Sequence, residues 1–225
     1  MNQNQPFGII FDLDGTLVDT LADIALSVNE LLGLLGKPSL SVDTIRSYVG
    51  EGLANLLQQA SGLGDSDAIA ELVERYRPIY RRRMFDHARL YPGLAEALDV
   101  LVARGHPFCI LSNKSHDFMV PFVQRLLARW SWVEVCGQQT GVPRKPDPGQ
   151  ALRMAAQMER DPRRVVFVGD SGVDMLTARY AGMKSIGVSW GYRDRNELVA
   201  AETDQIIDHA SQLCAAVAAF ETGTG

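Results

Sequence analysis

Six short apolar runs recur along the chain: Phe7–Leu13, His106–Leu111, Trp132–Cys136, Arg164–Val168, Ser185–Val188 and Gln205–Ile207. Between them lie Ala95–Arg104, Phe118–Arg129, Gly149–Met158 and Asp174–Gly182, whose apolar residues recur every three to four positions. Runs that are apolar throughout, rather than alternating, are the mark of strands covered on both faces. Alternation with helical segments therefore predicts βαβ units, an α/β fold with a Rossmann-like parallel sheet and helices on both faces. Gly105, Asp161-Pro162 and Gly182 fall where such helices should stop.

One stretch breaks the rhythm. From Leu17 to about Arg89 the pattern is helical, with no convincing strand. Leu21–Leu32 is amphipathic, and Thr20 with Asp23 has the spacing of a capping box. Further helices are expected over Val42–Tyr48, Leu53–Ala60 and Asp67–Tyr80, with Gly33, Gly36-Lys37-Pro38, Gly50 and Gly62-Leu63-Gly64 as turns. The sequence thus predicts a helical domain, residues 17–91, inserted into an α/β core made of residues 1–16 and 92–225. The last residues, Glu221–Gly225, read as frayed.

The chemistry gathers at the ends of the strands. The first run finishes in Asp12-Leu13-Asp14-Gly15-Thr16, a second in Ser112-Asn113-Lys114 and another in Gly169-Asp170-Ser171-Gly172-Val173-Asp174; Arg144-Lys145-Pro146-Asp147-Pro148 precedes the Gly149 helix. In open α/β sheets the carboxyl ends of the strands form one edge, where ligands bind. Asp12 and Asp14 alternate with Leu13, so they share a side. Converging carboxylates repel one another unless a cation is bound. Mg²⁺ fits, because it takes few carboxylates and keeps positions for water and a phosphate oxygen. Ser112 and Lys145 add a donor and a positive charge suited to phosphoryl oxygens. The N–H groups of the Gly15-Thr16 turn can extend that cradle. Taken singly, Ser112-Asn113 is an ordinary helix cap and Lys145 an ordinary loop lysine. Their weight comes from standing in register with the aspartates.

These four segments resemble the motifs of the haloacid dehalogenase superfamily: D-x-D-G-T, a Ser/Thr, a Lys, and G-D-S-x-x-D, in the family's order. Leu17-Val18-Asp19-Thr20, Ser112-Asn113-Lys114, Lys145-Pro146-Asp147-Pro148 and Ala181-Gly182-Met183 further resemble its phosphoglycolate phosphatase-like branch. The resemblance implies a phosphatase with an α-helical cap, Asp12 as nucleophile and Asp14 as general acid and then base. Mg²⁺ would be held by Asp12, the backbone carbonyl of Asp14, and Asp170, with Asp174 supporting. Thr16, Ser112, Asn113 and Lys145 would bind the phosphoryl group. The Tyr48–Leu53 loop, with Gly50 at its centre, resembles the segment such caps present to the substrate.

Composition sets the remaining limits. The chain has 225 residues and a formal net charge of −5, so no basic field points to nucleic acid. No apolar run is long enough to span a membrane, and Met1–Pro6 lacks the pattern of a secretion signal. Cys109, Cys136 and Cys214 are an odd number without motif spacing, which indicates a reducing compartment, the cytoplasm. The expected partner is a small phosphorylated metabolite, and the expected assembly a monomer or homodimer. Two other readings stay open. A sugar phosphomutase shares both aspartates and would need a bisphosphate; a non-catalytic phosphate-binding module would turn nothing over. Arg81-Arg82-Arg83 is expected to be a solvated helix face, and Trp130 and Trp132 to be packing residues.

Overall fold

A computed structural model describes residues 5–223. The chain runs through β1 (Gly8–Phe11), β2 (Val18–Asp19), α1 (Leu21–Leu34), α2 (Val42–Tyr48), α3 (Leu53–Ser61), α4 (Ser66–Arg83) and β3 (Arg89–Leu90). It continues with α5 (Leu94–Ala103), β4 (Phe108–Ser115), α6 (His116–Leu126), β5 (Trp132–Gln138), α7 (Gly149–Gln157) and β6 (Val165–Gly169). The final elements are α8 (Gly172–Ala181), β7 (Lys184–Val188), α9 (Arg195–Ala200), β8 (Gln205–Ile207) and α10 (Leu213–Thr222).

Six strands form one parallel sheet in the order β5-β4-β1-β6-β7-β8. The first strand of the chain therefore lies inside the sheet, with Ile10 opposite Cys109 on one side and Phe167 on the other. Side-chain parity divides the core. Ile9 and Phe11 face one layer of helices, and Ile10 faces the other with Cys109, Met154, Phe167 and Ala178. All four residues of β1 are buried, as a strand covered on both faces requires. Each such aliphatic or aromatic side chain contributes about 1.5–3 kcal/mol by leaving water.

The insertion between β1 and α5 contains four helices, and it also contains strands. Val18–Asp19 pairs antiparallel with Arg89–Leu90, closing the neck through which the chain leaves and re-enters the core. A two-residue ladder is too short to give a period, which is why the sequence showed none. Above the neck α1 packs on α4 and α2, and α3 packs on α4. The capping box at Thr20 does not form, since the Thr20 side chain makes no cap bond. The fully buried Asp23 carboxylate instead accepts the backbone N–H groups of His87 (3.0 Å) and Ala88 (3.0 Å), from the segment entering β3. Burial pushes its carboxyl above the usual carboxylate range, against the pull of those two N–H groups.

The three arginines at the end of α4 form a largely solvent-exposed face, as expected, and it is also ion-paired. Arg81, with Arg77, pairs with Asp117, while Arg82 and Arg83 pair with Glu30. Trp130 is buried and donates its indole N–H to Asp99. Trp132 packs edge-on against Phe11. At the end of the chain α10 continues through Thr222, because Ala216, Val217 and Phe220 pack into the core; Glu221 and Thr222 are helical rather than frayed. Met1–Asn4, part of the segment read against a secretion signal, and Thr224–Gly225 lie outside the described residues. No helix among the described residues is long and apolar enough to cross a membrane.

Candidate active site

The site stands at the carboxyl ends of β1, β4 and β6, three adjacent strands of the sheet. Asp12 follows β1 directly and stays in the sheet's pattern, its N–H donating to Val168 O at 2.9 Å. Asp170 and Asp174 follow β6. Ser171 caps α8, and its side chain and the Asp174 carboxylate exchange bonds with each other's backbone in a capping box. That turn brings Asp174 back under the strand end. The carboxylates of Asp12, Asp170 and Asp174 each offer an oxygen within 4.8 Å of the others, and all three residues are buried.

One cation lies among them. Lys145, which precedes α7, places Nζ 2.6 Å from Asp174 Oδ1 and 2.9 Å from Asp12 Oδ1. Burial opposes its charge, but the two carboxylates outweigh burial and hold the ammonium above the usual lysine range. Three carboxylates against one ammonium leave an excess of two negative charges when all are ionised. The strain shows at Asp170, whose carboxyl is pushed well above the usual range by burial and then by the charges of Asp174 and Asp12. Asp174 is raised for the same first reason, with Lys145 pulling the other way. Asp12 Oδ1 has no hydrogen bond of good angle, although Lys145 is near. An excess of negative charge and a buried carboxylate oxygen paired with Lys145 but lacking a well-angled hydrogen bond fit a hard divalent cation with oxygen ligands.

Backbone geometry makes room for Asp170. Gly15 has φ +84°, and a Cβ there would lie 2.8 Å from Asp170 Cγ. A Cβ on Gly191 would lie 2.6 Å from the same atom and nearer still to its neighbours. The carboxylate is fixed from that side by the Tyr192 N–H, at 2.6 Å, and by Thr16 Oγ1, at 3.4 Å. Thr16, expected near a phosphoryl group, thus turns its hydroxyl toward Asp170.

Asp14 stands apart from the carboxylate cluster. Its oxygens accept Lys114 Nζ at 3.0 and 3.1 Å and Thr20 Oγ1 at 2.6 Å. Ser112 and Asn113 are buried at the end of β4 beside Lys145. The Asn113 amide donates to Gly50 O (3.0 Å) and Lys145 O (3.2 Å) and accepts the Lys145 N–H (2.9 Å). With both N–H groups engaged, Asn113 braces the lysine and the cap loop. Gly50, with φ +120°, and Gly52 line the same pocket as Asp12 and Asp14. The loop around them is held by its carbonyls: Arg193 donates to Ser47 O and Val49 O, and Arg144 to Glu51 O. Ile24, Leu56, Tyr76 and Phe118 add largely apolar surface to the pocket lining.

Of the sequence-derived residues, Asp12, Asp14, Gly50, Ser112, Asn113, Lys145 and Asp170 line one pocket, with Asp174 directly behind Lys145. Sequence reasoning missed Lys114, Tyr80, Tyr192, Arg144 and Arg193. Lys114 was in view beside Ser112-Asn113. Arg144 likewise stood in view directly before Lys145. The other three carry no local signal, since only tertiary folding brings them to the strand ends.

A parallel sheet with an inserted helical cap and carboxylates at adjacent strand ends defines a hydrolase core, and residues 9–188 match the family model of the haloacid dehalogenase-like hydrolases. The chain belongs to that family. It is 37% identical over 213 residues to a phosphoglycolate phosphatase of Agrobacterium fabrum, covering 92% of this chain and 91% of that one. A phosphoglycolate phosphatase of Chromobacterium violaceum is 35% identical, with 89% and 92% covered. Among solved structures, a predicted phosphoglycolate phosphatase from Haemophilus somnus superposes with a TM-score of 0.87 at 27% identity, over 96% of this chain and 99% of the other.

Proposed function

We propose that this protein is a Mg²⁺-dependent phosphatase acting on a small phosphate monoester, with phosphoglycolate the leading candidate, through an aspartyl-phosphate on Asp12. The observation that carries this reading is the placement of Lys145 between Asp12 and Asp174, with Asp14 in the same pocket. A nucleophilic carboxylate must meet an anionic phosphoryl group, and a fixed ammonium beside it offsets the repulsion.

In this mechanism an Asp12 oxygen attacks phosphorus as the bond from phosphorus to the leaving alcohol oxygen breaks. Asp14 gives its proton to that oxygen. Asp14, now a carboxylate, takes a proton from water as the water oxygen attacks the aspartyl-phosphate, which releases phosphate and restores Asp12. Lys145 and Ser112 hold phosphoryl oxygens throughout. Mg²⁺, held by Asp12, Asp170 and the Asp14 carbonyl, would supply further neutralisation of the phosphoryl charge. Asp174 would keep Lys145 in place and support the metal site. Residues 17–91 act as the cap and residues 1–16 and 92–225 as the core, and the Gly50 loop presents backbone to the leaving group. The names of the two curated relatives favour phosphoglycolate over other esters.

The test is phosphate release from a panel of phosphorylated metabolites, with Mg²⁺ and with EDTA, for the native protein and Asp12→Asn. Metal-dependent release that vanishes in the variant is expected. Release from no ester refutes the phosphatase reading, and release that needs an added bisphosphate marks a mutase.

A further inference from the structure

Lys114 ends up deep in the pocket, with its side chain 6% exposed. Its ammonium donates to both oxygens of Asp14 and, at 2.7 Å, to the hydroxyl of Tyr80. Both oxygens of one carboxylate share a single N–H of the ammonium, so these bonds engage two of its three N–H donors. The cation also lies 4.8 Å from the ring centres of both Tyr80 and Phe122, which confines it further. Lys114 comes from β4 of the core, whereas Tyr80 comes from α4 of the cap. Tyr80 is itself fixed, buried and stacked on Tyr76 at 5.5 Å.

The other side of Asp14 is anchored as well. Thr20, which donates to Asp14 Oδ1, lies 3.0 Å from the Tyr192 hydroxyl, and the Tyr192 N–H holds Asp170. The carboxylate at position 14 is thus gripped from the neck, the core and, through one lysine, the cap.

We propose that Lys114, braced by Tyr80 of the cap, is a positioning residue for Asp14, so that core and cap jointly set the geometry of the proposed acid. The proposal rests on the reading of Asp14 as the group that protonates the leaving alcohol. A carboxylate at a pocket wall can turn about its side-chain torsions. Proton transfer in the transition state requires hydrogen-bond reach to one defined oxygen, and general acid catalysis contributes about 10²–10⁴ in rate only when that reach is met. A second assignment, Lys114 as a direct anchor for the substrate through its remaining N–H, predicts instead equal losses on both esters or a change confined to KM.

The test compares an alkyl ester, 2-phosphoglycolate, with p-nitrophenyl phosphate, whose aryl oxygen departs without needing a proton. The parameter is kcat/KM, which covers the steps up to departure of the leaving group. Asp14→Asn and Lys114→Met should each lower kcat/KM for the alkyl ester by about 100-fold or more, while the aryl ester changes by no more than about threefold. The double variant should lose little beyond either single one, because the two residues act as a unit. Tyr80→Phe, which keeps the ion pair and removes one hydrogen bond, should show the same ester preference with a loss of about fivefold. Equal losses on both esters in Lys114→Met, or a change confined to KM, would overturn the positioning role while leaving the acid reading intact if Asp14→Asn keeps its ester dependence. No ester dependence in Asp14→Asn itself would overturn both. Should Lys114→Met fail to fold, Tyr80→Phe decides alone: an ester-independent effect, or none, refutes the proposal.

Discussion

Replacing Gly191 by Ala adds one methyl group against Asp170, and the structure sets its size of effect. The new Cβ would lie 2.6 Å from Asp170 Cγ, well inside van der Waals contact, with the carboxylate behind it pinned by the Tyr192 N–H at 2.6 Å. Either the loop or the carboxylate must move. Overpacking of this kind costs about 1–3 kcal/mol. A hydrogen bond to a charged group, if broken, costs about 1.5–3 kcal/mol. Opposing these, Gly→Ala lowers the entropy of the unfolded chain and stabilises by about 0.4–1 kcal/mol where the backbone permits. With the bond broken, the expected net loss is about 1.5–5.6 kcal/mol. For a chain of this length that corresponds to roughly 3–22 °C in Tm, read by circular dichroism in EDTA. Gly33→Ala is the control, since nothing lies within 4 Å of a Cβ there and the residue sits in helix α1. It should raise stability by about 0.5–1 kcal/mol. Phosphatase activity should fall about 100-fold in Gly191→Ala, because a shift of about 1 Å in a catalytic group is costly. A Gly191→Ala protein as stable and active as the native one would refute the claim that this glycine makes room for Asp170.

Asp23→Ala should destabilise by about 2–4 kcal/mol, because the N–H groups of His87 and Ala88 lose their buried acceptor; thermal melts check it, and an unchanged Tm would contradict the assignment. Stability in EDTA should fall as pH rises. Burial, then the charges of Asp174 and Asp12, raise the folded pKa of Asp170 above its unfolded value, so its contribution is complete below about pH 4 and is lost as pH climbs through the raised value. Melts between about pH 5 and 8 should slope downward in the native protein and less so in Asp170→Asn, and Mg²⁺ should flatten the native slope; parallel slopes would contradict this origin.

The sheet was readable because its strands are apolar on both faces, and the site because its polar residues interrupt those runs at one end. Asp12 and Asp170 each directly follow a buried strand, and Ser112 follows the apolar run that opens β4, so position in sequence and position in space coincide. Other features carry no periodic signal. Val18–Asp19 and Arg89–Leu90 pair across more than sixty residues in a ladder of two positions. Thr20 and Asp23 had the spacing of a capping box, yet Asp23 is claimed by the backbone at His87 and Ala88, a competition between local and distant donors that only the fold resolves. Lys114 was visible as a residue but not as a contact, because its partners come from two other elements.

The internal position of β1 also fixes an order of events during synthesis. Residues 8–11 leave the ribosome before the strand's two neighbours, residues 108–115 and 165–169, which follow much later. At typical elongation rates of about 5–20 residues per second, this strand waits roughly 8 to 30 seconds for its second partner. During that interval its apolar residues have no finished sheet to enter, so early in its life the chain depends on transient shelter. By the same logic no N-terminal fragment ending before residue 165 can assemble the site, and a truncation series should show activity appearing abruptly instead of growing by degrees.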